Sequence, residues 1–185
     1  MNRRSIFSVL GAVVFSILLT GTARLQWNEN QIVQGPPIAL DVSVTSQEFN
    51  VDLGLEMCEP GPEEEPVSLF MDLSAGFELV EFADDTAVVP SEDGTSVIVT
   101  IYPADGTAPI TDMADLSSGS GGVYLSSSQI SCPAHGMCER GYIVVFEVSD
   151  GSTVTGWWNL TASALGPNKS EGEYEGRISL EIEAR

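Results

Sequence analysis

The sequence predicts an all-β protein: an antiparallel β-sandwich, immunoglobulin-like or jelly-roll-like, preceded by an N-terminal signal or anchor helix. Three observations lead there. Apolar and polar residues alternate with a period of two along most of the chain. Asp93-Gly94, Asp105-Gly106 and Asp150-Gly151 stand between the alternating runs as turn signals, glycine supplying the positive φ that a tight turn needs. No long amphipathic helix can be traced after the leader. Roughly eight to ten short strands separated by turn residues make two packed sheets, and no internal repeat supports a propeller or solenoid.

The chain opens with Arg3-Arg4, an apolar run from Ile6 to Leu19, and Thr20-Gly21-Thr22-Ala23. Small residues at positions 21 and 23 suit signal peptidase, so residues 1–23 are expected to be a signal peptide and Arg24 the mature start. The alternative is an uncleaved anchor, because Ser5 to Ala23 approaches the roughly 20 apolar residues of a spanning helix. Leu18-Leu19-Thr20-Gly21-Thr22 resembles a bacterial lipoprotein cleavage box, but Thr22 stands where the lipidated cysteine must be. The expected location is secreted, periplasmic or cell-surface, with membrane contact only through the N-terminal segment if it is not cleaved.

Residues 24–37 read as an extended spacer, broken by Gly35-Pro36-Pro37. Residues 38–185 read as a single sandwich domain, long enough to bury a core. Leu40, Val42 and Val44 alternate with polar neighbours, as do Phe49, Val51, Leu53, Leu55 and Met57. The loop Glu59-Pro60-Gly61-Pro62-Glu63-Glu64-Glu65-Pro66 is expected to be exposed, since its prolines lack ladder donors and its carboxylates repel one another. Val67 to Leu73, Phe77 to Phe82 and Val97 to Ile101 read as further strands. A short helical turn is expected over 109–116, and a flexible loop over Ser117 to Gly122. Tyr142 to Phe146 is apolar on both faces, as in a central strand, and Ile178 to Ala184 alternates again.

Charge limits the partners. The formal net charge is −20, and removing Arg3 and Arg4 makes it −20 − 2 = −22. Such a surface repels phosphate backbones and anionic headgroups, which excludes nucleic acid as a partner. A protein or a glycan is the partner class left open.

"SCPAHGMCER", residues 131–140, holds two of the three cysteines and the single histidine. Cys132 and Cys138, with Pro133 and Gly136 bending the chain between them, suit a local loop closed by a disulfide in an oxidising compartment. Cys58 with Cys138 is the alternative pairing. A zinc set of Cys58, Cys132, His135 and Cys138 is the competing reading, but it lacks the paired-knuckle spacing of structural zinc sites. Five intervening residues also differ from the two of a redox motif.

No nucleophile elbow of the Gly-x-Ser-x-Gly kind and no phosphate-cradling glycine loop is present. A carboxylate pair as in glycosidases stays open, because only geometry selects one among 27 acidic residues. No cofactor is called for. Calcium is the ion left open, with Asp84-Asp85, Glu92-Asp93 and Asp112 with Asp115 as oxygen donors, none of them forming a full calcium loop.

Gly156-Trp157-Trp158-Asn159-Leu160 stands out. In a strand, Val154, Trp158, Leu160, Ala162 and Ala164 share one face, which leaves Trp157 with Thr155, Asn159, Thr161 and Ser163 on the polar one. An indole there can stack on a sugar or anchor a protein; neighbouring loops covering it, or a bulge burying both rings, is the structural alternative. The expected function is a non-catalytic secreted or cell-envelope binding module, with Trp157 and Asn159 as candidate ligand contacts. The alternatives are a carbohydrate-binding module or carbohydrate-active enzyme using Trp157 as platform, and a structural subunit of a surface assembly.

Overall fold

A computed structural model of the chain describes residues 25–59, 66–80, 95–127, 129–133, 136–149, 152–169 and 175–185. Among them are eleven strands and no helix: β1 (Leu25–Gln34), β2 (Ile38–Leu40), β3 (Ser46–Glu59), β4 (Val67–Leu79), β5 (Ser96–Pro103), β6 (Ile110–Asp115), β7 (Ser120–Ser126), β8 (Ile130–Cys132), β9 (Gly136–Val148), β10 (Val154–Lys169) and β11 (Glu175–Ala184). The signal or anchor helix expected over residues 1–23 lies outside the described residues, as does most of the acidic proline loop.

The strands form two antiparallel sheets. The first runs β1-β10-β4-β7, with β2 beside β10 and β8 beside β4; the second runs β11-β3-β9-β5-β6. The protein is thus an all-β sandwich. The period of two decides which side chains lie between the layers. Along β4, Val67, Leu69, Met71, Leu73, Ala75 and Phe77 are buried, while Ser68, Phe70, Asp72, Ser74 and Gly76 face outward. β9 does the same from the other sheet with Tyr142, Val144, Phe146 and Val148.

The centre of the core is aromatic. Trp158 from β10 lies 5.1 Å from the Phe49 ring and 5.2 Å from the Phe146 ring, and Phe146 meets Phe77 edge-on at 6.0 Å. Tilted and edge-to-face contacts suit the ring quadrupoles. A buried indole N–H needs an acceptor, and that of Trp158 donates to the Pro36 carbonyl oxygen at 2.8 Å. Gly35 lies under the same ring, where a Cβ would collide with it. The Gly35-Pro36-Pro37 break therefore locks the chain onto the core.

Several expectations are corrected. Residues 25–34 of the expected spacer are an edge strand, β1, paired with β10 from Leu25↔Lys169 to Gln34↔Asn159. Weak alternation hid it, because Ile32 faces outward and is 71% exposed. The run Leu40, Val42, Val44 stops being a strand at Leu40. The Asp41 carboxylate accepts the backbone N–H groups of Ser43 and Val44, which turns the chain and leaves both valines exposed. Residues 110–115 are strand β6 rather than a helical turn, since pairing with β5, including a Thr100–Thr111 hydroxyl contact of 3.1 Å, outweighs the local preference of so short a segment. The expected loop over Ser117 to Gly122 is only a tight turn at Gly119 (φ 92°) before β7 begins. Of the strand expected over Phe77 to Phe82, Phe77 to Leu79 belong to β4, and Glu81 and Phe82 lie outside the described residues.

Candidate binding face around Trp157

β10 carries Trp157 and Trp158 on opposite faces, as adjacent strand positions must be. Trp158 is fully buried, and Trp157 is 52% exposed on the outer face of the first sheet. Among the described residues neither a bulge nor a covering loop hides it. Gly76 of β4 stands directly opposite Trp157 in the register. A Cβ there would lie 2.8 Å from the indole Cε2 and Nε1 atoms, so the ring lies across the bare glycine backbone. One row on, Phe77 covers Gly156 on the other face of the same pair of strands. Each glycine seats an aromatic ring from its partner strand, a packing that restores the surface a strand glycine otherwise lacks.

The rest of the face follows from register. Gly122 of β7 lies opposite Gly76 and continues the flat floor. Asn159 sits between Gln34 of β1 and Ser74 of β4, and Tyr124 of β7 is opposite Ser74 on its other side. Tyr124 is 63% exposed. Asp72 lies between Thr161 and Ser126, and the Ser126 hydroxyl donates to its carboxylate. Partial desolvation and then the negative charge of Asp72 push the Tyr124 phenol above its ordinary pKa. An open indole, a phenol, an amide, hydroxyls and one carboxylate thus share one flat surface.

Trp157 and Asn159 fall together where the sequence placed them. Gly76, Tyr124, Ser74 and Asp72 were not foreseen, because they come from strands far away in the chain. Strand parity at Val123 and Leu125 was the available signal, masked by the preceding run of glycines and serines.

The sulfurs of Cys132 and Cys138 are bonded to each other, with their Cα atoms 5.5 Å apart. The bond is more than a closed local loop. Cys132 ends β8, paired with Val67 of the first sheet, and Cys138 lies on β9, opposite Leu55 of the second. The disulfide therefore clasps the two layers where the chain crosses between them. With both sulfurs in this bond, neither is a thiolate for the zinc set, and the Cys58–Cys138 alternative gives way. His135 lies outside the described residues.

Among the described residues no group of three or more His, Cys, Asp or Glu side chains is placed to hold a metal ion. Asp84-Asp85 and Glu92-Asp93 lie outside the described residues. Asp112 and Asp115 are three apart on β6 and so point to opposite faces; their carboxylates accept the backbone N–H groups of Met113 and Ser117. A concavity of about 410 Å³, lined by Asp52, Glu139 and Glu181 together with Arg140, lies on the second sheet. Indole and acid-lined concavity therefore occupy different sheets.

No protein-family model and no curated protein matches the chain. Among solved structures, a chain titled as the crystal structure of the decameric BFDV capsid protein is similar over 76% of this chain and 99% of its own, at 13% identity and a TM-score of 0.37. Similarity at that level carries no inference about function.

Proposed function

We propose that this chain is a non-catalytic binding module of the secreted or cell-envelope kind, which takes its ligand on the outer face of the first sheet with Trp157 as platform. The observation that carries the reading is the half-exposed indole seated over Gly76. A rigid ring held in that way offers large apolar area, yet loses little conformational entropy when a partner covers it. The disulfide between the layers supports an oxidising location.

A neutral glycan is the more specific reading, favoured by what borders the indole. Sugar rings have apolar C–H faces and polar rims, and Asn159 and Ser74 supply donors and acceptors in the next row of the same face, with Asp72 one row further along. A net charge of −20 disfavours anionic polymers. The finer architecture belongs with this reading as an immunoglobulin-like sandwich: β3 pairs with β9 and β4 with β10, the pairings of strands B with E and C with F. The terminal strands are exchanged, β11 lying beside β3 and β1 beside β10.

A glycan array probed with the purified domain tests the proposal. Binding to neutral glycans that falls at least tenfold in Trp157→Ala, with Trp157→Phe retaining part of it, supports the glycan reading. Silence across the array for the native chain contradicts that reading. A protein ligand unaffected by Trp157→Ala contradicts the platform itself.

A further inference from the structure

The second sheet presents an outer face of different chemistry. Met113 of β6 and Tyr102 of β5 are 56% and 45% exposed. Register puts Met113 opposite Ile98 and Tyr102 opposite Ile143, while Val145 stands opposite Thr100. Ile98, Ile143 and Val145 are all partly exposed, so β5, β6 and β9 together make an apolar field.

Carboxylates border this field along β3, the flanks of β9, and β11. Glu147 and Glu48 flank Val145, Glu48 being ion-paired with Arg185 at 3.2 Å, and Glu183 lies beyond Asn50. Asp52, Glu139 and Glu181 surround the concavity left by Gly54 and Gly141, whose lining cation, Arg140, is held by Asp105 at 2.9 Å. Among the described residues the first sheet has no comparable crowd: Asp72 and Glu78 are the outward acids of β4, β1 adds the exposed Glu29, and β7 and the outward positions of β10 add none.

We propose that this face docks a cationic amphipathic protein segment, with its apolar side chains on Ile98, Tyr102, Met113, Ile143 and Val145 and its lysines or arginines against the carboxylates at the concavity. Charge complementarity selects that occupant. A second copy of the chain would bring its own carboxylates against these, and nucleic acid or anionic lipid would be repelled. Burial of the apolar field supplies affinity, and the acidic border supplies orientation and a fast encounter.

Titration of the native chain with two synthetic peptides of equal length and charge, one alternating Lys with Leu and one alternating Lys with Ser, tests the proposal. The Lys/Leu peptide is expected to bind at least about tenfold more tightly than the Lys/Ser peptide. The double variant Tyr102→Ser, Met113→Ser should erase that preference without lowering the melting temperature appreciably, since both side chains are exposed. Glu139→Gln with Glu181→Gln should weaken both peptides, and Trp157→Ala should leave both unchanged, which separates this surface from the ligand face of the first sheet. Equal affinity for the two peptides overturns the proposal. So does a preference that survives the double variant, or a dimer in sedimentation that the double variant dissolves, which would make a second copy the occupant.

Discussion

The indole of Trp157 lies across Gly76 of the neighbouring strand, so that a missing side chain on one residue seats the ring of the other. Strand glycines normally weaken a sheet. Here the glycine permits the closest approach of an aromatic platform to the backbone, and Gly122 extends the same floor.

Gly76→Ala is expected to displace that ring, because its Cβ would stand 2.8 Å from the indole. Alanine suits a strand at least as well as glycine, so the fold should persist with a stability change within about 1 kcal/mol. Tryptophan emission should shift, and ligand binding should weaken with it. Unchanged emission would contradict the seating of the ring.

Trp158→Ala should behave in the opposite manner. It removes a fully buried ring that packs on Phe49 and Phe146 and donates to Pro36, leaving a cavity and an unpaired carbonyl. A loss of about 3–5 kcal/mol is expected in denaturant unfolding.

Cys132→Ser with Cys138→Ser should lower stability by about 2.4 kcal/mol on the loop-closure account of so short a ring. Reduction of the native chain should lower the melting temperature similarly and leave the double variant unaffected. A melting temperature insensitive to reductant would contradict the clasp.

Tyr142 sets an alkaline limit. Burial, offset in part by the neighbouring Ser127 hydroxyl, pushes its phenol above the ordinary value of 10.0. The folded state therefore favours the neutral phenol. Its contribution is complete below the unfolded pKa and is lost as pH rises through the folded one, so stability should fall above about pH 10, and less steeply in Tyr142→Phe.

Three exposed carboxylates set an acid limit of the reverse sign. Hydrogen bonds lower Asp41 through Ser43, Asp105 through Thr107, with Arg140 adding a smaller effect, and Asp115 through Ser117. Their contribution is present above the unfolded pKa and is lost as pH falls through the lowered folded values, below the usual 3.8. Asp41→Asn should flatten the acid limb of a melting-temperature profile.

The sandwich was legible because period-two alternation in β3, β4, β9 and β11 needs no tertiary information, and parity alone separates Trp157 from Trp158. β1 and β6 were not legible, since an edge strand with one exposed flank loses its alternation and takes its shape from its partner. The same holds for the face around Trp157. Tyr124 and Asp72 meet it only through the β10-β4-β7 register, which no local pattern encodes. Cys132 and Cys138 were readable as a pair, but their placement in different sheets emerges only once β8 joins β4 and β9 joins β3.

Quenching of the Trp157 emission by neutral acrylamide, isolated as the difference between the native chain and Trp157→Phe, tests the platform most directly. A red-shifted component that acrylamide quenches freely, and that a bound ligand shields, is the predicted result. A blue-shifted component that resists acrylamide in the free protein would place the ring inside the fold and contradict the account.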